Sequence, residues 1–282
     1  MSPAAGTPWS DPVATSGSGD GTPDAASRID TSKPHPARIY DYLLGGKQNF
    51  DADRNVADQI SEAMPVIPRL ARANRAFLAR AVRYSAQQGV KQFLDIGAGL
   101  PAAGNTHEVV QSVHADASVV YVDNDPLVTV HGRALLADEA RTRVFEGDLR
   151  DPKAILTHPD VAALIDFDRP VGLLMVAVLH FFPDAYDPAG VIATLTENLA
   201  PGSHLVISHA GSDLMSDDPE GMQIYQTASE GALRDREQIT AFFEGFDLVD
   251  PGLVRVPQWR PTEEVPTDIG QYWMYGGVGR KR

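Results

Sequence analysis

The segment from Phe93 to Gly99 carries residue types whose spacing is suited to holding a ligand. An apolar stretch runs into Asp95, and Gly97 and Gly99 follow in an Asp-x-Gly-x-Gly pattern. Glycines at these positions let the backbone turn tightly and approach a bound molecule closely. The same pattern also suits sites for NAD or FAD and ordinary tight turns, so further residues must identify the ligand.

Residues beyond this loop favour S-adenosylmethionine (SAM) over a dinucleotide. Pro101 stands where a dinucleotide-binding loop would carry its third glycine and a helix N-terminus for the pyrophosphate, which SAM lacks. Asp123 ends the second predicted strand, where a carboxylate can accept hydrogen bonds from both ribose hydroxyls of NAD or SAM. Asp148, with the apolar Leu149 beside it, follows the third strand and suits recognition of the adenine amino group. Asp125 is expected to cap the following helix.

Two histidines that follow predicted strands, His180 and His209, are the candidate catalytic residues. Either imidazole can act as a general base or line the acceptor pocket, and either can instead be a buried histidine bonded to the backbone. Methyl transfer from a sulfonium is an in-line displacement, so alignment of the reacting atoms is the main task. A base is needed only when the acceptor must lose a proton. The eight histidines lack short ligand spacing, so no metal is predicted.

These side chains come together only if the strands that precede them are parallel. Strand and helix patterns alternate from Lys91 onward, which predicts a doubly wound α/β sheet whose strands deliver their carboxyl ends to one edge. The last two strands are joined without a helix, so the final strand is expected to be antiparallel. The predicted fold is a Rossmann-like class I methyltransferase fold with a seven-stranded, mostly parallel sheet. The predicted strands are Gln92–Ile96, Val119–Val122, Arg143–Glu146, Val171–Val178, His204–Ser208, Phe246–Val249 and Tyr272–Gly279.

A block of predicted helices precedes the first strand. Helical spacing covers Ala37–Leu44, Asp51–Ala63 and Arg69–Gln87. The sequence therefore predicts a disordered tail over 1–32, a helical N-terminal cap over 33–88 and a SAM-binding domain over 89–282. Polar and aromatic residues of the cap are expected either to close over SAM as a lid or to dock the cap on the domain. The candidate lid residues are Tyr40, Lys47, Asn49 and Arg54.

The chain resembles a bacterial SAM-dependent methyltransferase family long catalogued only as a domain of unknown function. The resemblance covers nearly everything from Lys33 onward, and its most specific segment is the run from Pro34 to Lys47, PHPARIYDYLLGGK. Supporting segments lie at 93–101, 120–126, 177–181 and 275–281. The resemblance implies a class I fold, SAM as cofactor and methyltransferase activity, while the methyl acceptor is not carried over. The expected cofactor contacts are Asp95, Gly97, Gly99, Asp123, Asn124, Asp148, Leu149 and Ala177.

The composition limits the compartment and the partners. The chain has 282 residues, no cysteine and a formal net charge of −14. The lack of cysteines excludes disulfides, thiolate metal sites and a cysteine nucleophile, which fits a reducing compartment. The acidic balance lacks the basic stripe of a duplex-binding protein, so a small-molecule acceptor is expected rather than nucleic acid. No secretory signal or membrane-length apolar run is visible, which predicts a cytoplasmic protein, and the oligomeric state is not readable from the sequence.

Three alternatives stay open from the residues alone. An NAD-dependent oxidoreductase shares the glycine pattern and the acid at Asp123, although no Tyr-x-x-x-Lys hydride-transfer pair is found. A protein that binds SAM without methylating, as a sensor or interaction module, is compatible because methyltransferases share no universal catalytic residue. An aminopropyltransferase would need extra acidic residues after the fourth strand, where this chain has Ala-Val-Leu-His at 177–180.

Overall fold

In the computed structural model of the chain, the structure describes residues 28–136, 140–215, 222–223, 225 and 231–282. The helices are α1 (Pro36–Leu43), α2 (Asp51–Ala63), α3 (Ile67–Gln87), α4 (Thr106–Gln111), α5 (Pro126–Leu135), α6 (Pro152–Leu156), α7 (Pro159–Leu164), α8 (Pro188–Thr196) and α9 (Arg236–Ala241). The strands are β1 (Gln92–Ile96), β2 (Ser118–Asp123), β3 (Thr142–Glu146), β4 (Val171–Val176), β5 (His204–Ala210), β6 (Phe246–Leu248), β7 (Val254–Arg255) and β8 (Met274–Lys281). Strands and helices alternate from β1 to β5, as predicted.

The strands form one mixed sheet in the order β3-β2-β1-β4-β5-β8-β6, with β7 paired to β8. Strands β1 to β5 pair in parallel, and β8 runs antiparallel between β5 and β6. The predicted mostly parallel sheet with an antiparallel last strand is thus confirmed. The described residues contain eight strands rather than the predicted seven, because Val254 and Arg255 pair with Gly276 and Tyr275 of β8. A two-residue strand is too short to produce a periodic sequence pattern.

The fourth strand ends at Val176, two residues before its predicted end at Val178. Ala177 has a φ of 57°, so the chain leaves the sheet there. Leu179–Phe181 then forms a single turn of 3-10 helix. The apolar run continues through this turn because the turn is itself largely buried, and the sequence therefore did not mark the strand end. The last strand, Met274–Lys281, begins and ends two residues later than predicted.

Both faces of the sheet are covered, which explains the unbroken apolar strands. All residues of β1, β2 and β5 are buried. On one face, α3 and the C-terminal loop form a core cluster in which the rings of Phe77 and Trp259 meet edge to face, with centroids 5.6 Å apart. A second cluster includes Leu173, Phe182 and Leu195. Because strands covered on both faces leave little room for polar side chains, the candidate functional residues lie at strand ends.

Helix α3 anchors the N-terminal helices to the sheet. Phe77, Ala81 and Val82 are fully buried and belong to the same hydrophobic cluster as Phe93 of β1. The Phe77 ring packs so closely on Gly276 that a Cβ there would lie 2.8 Å from it. Helices α1 and α2 pack on each other and on α3. None of the described helices, α3 included, is long and apolar enough to cross a membrane.

The predicted tail over 1–32 lies outside the described residues for its first 27 positions. From Arg28 onward the chain contacts the domain. Arg28 forms a two-point ion pair with Glu146 at 2.6 and 2.7 Å, next to the carboxyl end of β3. The carbonyl of Asp30 accepts a hydrogen bond from Arg38 at 2.9 Å. Residues 28–32 therefore run against the same sheet edge that carries the candidate site.

Candidate active site

A cavity of about 90 Å³ lies at the carboxyl ends of β1, β2 and β4, beneath α1 and α3. Six of the eight predicted cofactor contacts line it: Asp95, Gly97, Gly99, Asp123, Asn124 and Ala177. The predicted lid residue Tyr40 also lines the cavity. The other lining residues are His35, Pro36, Ala37, Asn74, Arg75, Leu78, Ala98, Val176, Val178 and Phe181. The fold thus brings most of the predicted strand-end residues into one site covered by the N-terminal helices.

The loop after β1 is fastened to the neighbouring strand and shaped by two glycines. The N–H groups of Gly97 and Ala98 donate to the carbonyl of Val122 at 2.8 and 3.2 Å. Gly97 and Gly99 have φ values of 71° and 68°, in the left-handed region that favours glycine. A Cβ on Gly97 would lie 2.6 Å from Val178, whereas a Cβ on Gly99 would meet open space. Gly97 therefore permits close packing, and Gly99 leaves room beside the loop for a ligand.

Asp123 is buried, and each of its carboxylate oxygens accepts one backbone hydrogen bond. Oδ2 accepts the N–H of Gly99 at 2.8 Å, and Oδ1 accepts the N–H of Asp125 at 2.9 Å. Burial raises the pKa of Asp123, and the neighbouring His35 acts against this rise. A carboxylate offers about four lone-pair sites, so about two stay available to further donors. This arrangement matches the needs of a pair of ribose hydroxyls.

Asp95 lies at the end of β1 and is only 5% exposed. Its Oδ2 accepts a hydrogen bond from the hydroxyl of Thr106 at 2.7 Å. Burial raises the pKa of Asp95 to about 6, although the Thr106 hydrogen bond and the charge of Arg75 act in the opposite direction. A cationic group brought to this carboxylate would stabilise its ionised form.

Asp148 and Leu149 are the two predicted cofactor contacts that do not line the cavity. Asp148 forms an ion pair with Arg150, whose Nε lies 2.8 Å from Oδ2. Leu149 is buried in the second core cluster. The loop itself lies beside the cavity, because the N–H of Gly147 donates to the carbonyl of Asp123 at 2.9 Å. Asp148 is therefore close to the site but engaged by Arg150.

A chain of hydrogen bonds connects Ala177 to the N-terminal helices. Its positive φ is a strained conformation for alanine. The N–H of Ala177 donates to Ser208 Oγ at 3.0 Å, and that hydroxyl donates to Asn74 Oδ1 at 2.6 Å. Asn74 Nδ2 donates to the hydroxyl of Tyr40 at 3.0 Å, which in turn donates to the carbonyl of Ala71 at 2.9 Å. The turn at Ala177 is thus coupled to α1 and α3.

His209, one of the two predicted catalytic histidines, is fully buried and has partners at both ring nitrogens. Nδ1 lies 2.8 Å from the carbonyl of Ala210, and Nε2 lies 2.9 Å from Nη1 of Arg234. A guanidinium only donates, so Nε2 must accept and Nδ1 must carry the proton. Burial lowers the pKa of His209 to about 3. His209 is therefore a neutral acceptor committed to Arg234 and not a free base.

His180 has a different environment, although it is also buried. It lies in the turn after β4, next to Phe181, which lines the cavity. Its Nδ1 has no hydrogen-bond partner among the described residues. Burial lowers the pKa of His180 well below its ordinary value, so the imidazole is neutral. No group of three or more potential metal ligands occurs in the part of the chain that the structure describes.

The other three predicted lid residues do not line the cavity. Asn49 is buried and donates to Asp41 at 2.8 Å. Arg54 donates to both the side-chain oxygen and the carbonyl of Asn49, each at 2.9 Å. Lys47 is exposed. Asn49 and Arg54 therefore stabilise the connection between α1 and α2, and only Tyr40 of the four reaches the cavity.

A buried ion pair that the sequence did not reveal joins α1 to the loop after β2. Arg38 donates from Nε to Oδ2 of Asp125 at 2.8 Å and from Nη2 to Oδ1 at 3.0 Å. Asp125 also caps α5 as expected, accepting the N–H of Leu127 at 2.9 Å. Arg38 lies within the distinctive run 34–47, but its partner stands 87 positions further along the chain. No local pattern connects the two.

Known proteins resemble this chain in fold and in sequence. A family model described as S-adenosyl methyltransferase matches residues 22–282. The crystal structure of a protein assigned as a methyltransferase from Thermobifida fusca YX is 44% identical, with a TM-score of 0.85 over 90% of this chain and 97% of that chain. A DUF574 family protein from Streptomyces avermitilis MA-4680 is 40% identical, with a TM-score of 0.85 over 90% of this chain and 100% of that chain. No curated protein matches the sequence.

A more distant likeness concerns the fold alone. The pyocyanin biosynthetic protein PhzM is 15% identical, with a TM-score of 0.50 over 86% of this chain and 62% of that chain. The family match favours SAM over NAD, which decides against the oxidoreductase alternative. Because the family model covers all but the first 21 residues, the chain belongs to the S-adenosyl methyltransferase family and uses SAM as its cofactor.

Proposed function

We propose that the chain transfers the methyl group of SAM to a small-molecule acceptor bound beneath α1 and α3. The proposal rests on the small cavity at the sheet edge, which residues of α1 and α3 of the same chain line on one side. A macromolecular acceptor would need an open groove to reach the same strand ends. The net charge of −14 also opposes nucleic acid as the acceptor, because phosphate backbones need basic surfaces.

The strand-end residues fit the polar groups of SAM. We assign the two ribose hydroxyls to Asp123, whose oxygens retain lone pairs beyond their backbone hydrogen bonds. Asn124, the next residue, borders the same part of the cavity. We assign the methionine ammonium to the buried carboxylate of Asp95, directly or through water. Gly99 leaves the backbone beside these two carboxylates free of a side chain.

We assign the adenine amino group to Asp148. Its side chain is one-third exposed at the carboxyl end of β3, and the adjacent Gly147 is bonded to the ribose residue Asp123. The assignment requires Asp148 to share its carboxylate with Arg150, which contacts it now. Leu149 supports this loop from the core, so we give it a packing role beneath the adenine.

The protein's part in catalysis is proposed to be alignment and exclusion of water. Bound SAM supplies a methyl group on a sulfonium, an excellent leaving group. We assign His180 to hold the acceptor, because its buried Nδ1 lacks a partner among the described residues and it adjoins Phe181. A neutral imidazole can accept a hydrogen bond from an acceptor hydroxyl and orient its oxygen. His209 is proposed as a positioning residue that holds Arg234.

The N-terminal helices are proposed to act as a lid. The cavity of about 90 Å³ is smaller than the roughly 300–1,000 Å³ of small-molecule sites, so α1 must shift when ligands enter. Tyr40 links α1 to the turn after β4 through Asn74, and its contacts would change with the shift. Asn49 and Arg54 keep the α1–α2 connection rigid as it moves, and the exposed Lys47 lies in the same connection.

A labelled-methyl experiment tests the acceptor class. The full chain is incubated with methyl-labelled SAM and, separately, with small-molecule, protein and nucleic-acid fractions of a bacterial extract. The proposal predicts label in the small-molecule fraction, reduced when His180 is replaced by phenylalanine. Label found in protein or nucleic acid instead would overturn the small-molecule assignment. SAM binding with no transfer to any fraction would favour the sensor alternative.

A further inference from the structure

Arg75 of α3 lines the cavity and is not among the proposed SAM contacts. Its side chain lines the main cavity and also a smaller one of about 30 Å³ on the α4 side of the glycine loop. Nη2 donates to Oδ1 of Asn105 at 2.9 Å and approaches the carbonyl of Ala102 at 3.4 Å. Asp95 also lines both cavities, whereas Asp123 lines only the larger. Arg75 and Asp95 therefore mark one end of the site.

The guanidinium of Arg75 is incompletely satisfied. Its Nε is buried and has no hydrogen-bond partner among the described residues. None of those residues places a carboxylate within ion-pairing distance of it. Seven other arginines among them do have such partners: Arg28, Arg38, Arg54, Arg69, Arg150, Arg234 and Arg282. A buried donor without an acceptor, on a charged group without a counterion, carries a free-energy cost. An anionic ligand that entered the cavity would remove that cost.

The charges at this end of the site match a zwitterion. Asp95 contributes one negative group and Arg75 contributes one positive group, and both belong to the wall of the same two cavities. An amino acid carries an ammonium and a carboxylate on one carbon, so it can satisfy both at once. Arginine presents a planar fork of donors that suits a carboxylate better than a lysine ammonium would.

We infer that Arg75 binds the carboxylate of the methionine part of SAM, while Asp95 binds the ammonium. This inference rests on the proposed placement of the ribose at Asp123. Arg75 is then the recognition residue for the amino-acid end of the cofactor, delivered by a helix of the N-terminal region. Helix α3 thereby links cofactor binding to the covering helices, because α1 and α2 pack on it.

The test uses two ligands that differ only in the carboxylate. They are S-adenosylhomocysteine, the demethylated product, and its decarboxylated analogue S-adenosyl-3-thiopropylamine. In calorimetric titrations, the wild-type protein is expected to bind the decarboxylated analogue about 10- to 100-fold more weakly. Arg75→Gln is expected to bind S-adenosylhomocysteine about 10- to 100-fold more weakly than wild type, and the analogue within about threefold of wild type. The two ligands would thus become nearly equal in the variant.

Two controls make the result specific. Arg72→Gln changes an exposed arginine of the same helix and is expected to leave both affinities unchanged. Asp123→Asn is expected to weaken both ligands equally, because both carry the ribose. Equal weakening of both ligands by Arg75→Gln would overturn the inference and leave Arg75 as a structural partner of Asn105. No preference for the carboxylate in the wild-type protein would overturn it as well.

A further variant covers the case in which Arg75→Gln does not fold. Arg75→Lys retains a positive charge, and a retained preference for the carboxylate, at least about threefold, is expected there. Loss of that preference in a folded Arg75→Lys protein would overturn the inference. A wild-type protein that binds neither ligand would contradict the proposed cofactor site itself and not the role of Arg75 within it.

Discussion

The guanidinium of Arg38 and the carboxylate of Asp125 form a two-point ion pair, with Nε–Oδ2 at 2.8 Å and Nη2–Oδ1 at 3.0 Å. Arg38 is 4% exposed and Asp125 is 1% exposed. The same aspartate donates its N–H to Asp123, the proposed ribose residue. Helix α1 is therefore joined to the cofactor loop by a buried charge pair, and the covering helices and the loop are one connected structure.

Removing Arg38 is expected to destabilise the protein strongly. Arg38→Ala leaves the Asp125 carboxylate buried without its main counterion, which costs about 3–5 kcal/mol for pairs of this kind. The free energy of unfolding, measured with urea, should fall by about that amount. Arg83→Ala, which alters an exposed arginine of α3, is the control and should change stability by about 0.5 kcal/mol or less. A loss below about 1 kcal/mol for Arg38→Ala would show that the pair does not anchor α1.

Asp123→Asn should reduce cofactor affinity without unfolding the protein. Asparagine keeps the shape and one acceptor oxygen but loses the charge and the second acceptor. Charge-assisted hydrogen bonds contribute about 1.5–3 kcal/mol each, so the dissociation constant for SAM should rise about 10- to 100-fold. Calorimetry measures the affinity, and circular dichroism checks the fold. An unchanged dissociation constant would contradict the ribose assignment.

Cofactor affinity is expected to depend on pH through Asp95. Burial raises the pKa of this carboxyl to about 6, so it is mostly protonated below pH 6 in the free protein. An ammonium ligand favours the ionised form, and affinity should therefore fall about tenfold between pH 7 and pH 5. Without ligand, the raised pKa of Asp95 stabilises the folded protein. This contribution is fully present when the pH is below the ordinary pKa of an aspartic acid, and it is lost as the pH rises through about 6. Asp95→Asn should bind SAM more weakly, and its affinity should not depend on pH in this range. If the pH dependence of affinity survives in this variant, it arises from another group.

The two histidines are expected to respond differently to replacement by phenylalanine. His209→Phe removes the acceptor of the buried Arg234 and should cost about 1–3 kcal/mol of unfolding free energy. His180→Phe removes a ring whose Nδ1 has no partner among the described residues, so stability should change by less than about 1 kcal/mol. Turnover on the true acceptor should nevertheless fall in His180→Phe, with SAM affinity preserved. Equal stability losses, or an unchanged turnover for His180→Phe, would refute this division of roles.

Site residues whose positions follow from local sequence patterns could be predicted. Asp95, Asp123 and the glycine loop lie at or just after the carboxyl ends of predicted strands. Parallel strands bring these ends to one edge of the sheet. The antiparallel last strand followed from the missing helix before it. The fold class and the family could therefore be predicted from the sequence, down to the residues that line the cavity beside β1 and β2.

Roles that depend on contacts between distant segments of the chain could not be predicted. Arg38 meets Asp125 across 87 positions, and Arg75 reaches the glycine loop from a helix that precedes the first strand. The commitment of His209 to Arg234 likewise depends on the packing of a later segment. Sequence patterns report which residues are polar, but they do not report which buried partner satisfies each one. The lid assignment of Asn49 had a different weakness, because its partners Asp41 and Arg54 lie near it in the sequence and not in the cavity.

A calorimetric titration of the purified chain with SAM, S-adenosylhomocysteine and NAD shows directly whether the strand-end cavity binds SAM. The site described here predicts one molecule of either SAM ligand per chain and no binding of NAD. It also predicts that Asp123→Asn weakens both SAM ligands together. Binding of NAD alone, or of none of the three, would contradict the assignment of this strand-end cavity to SAM.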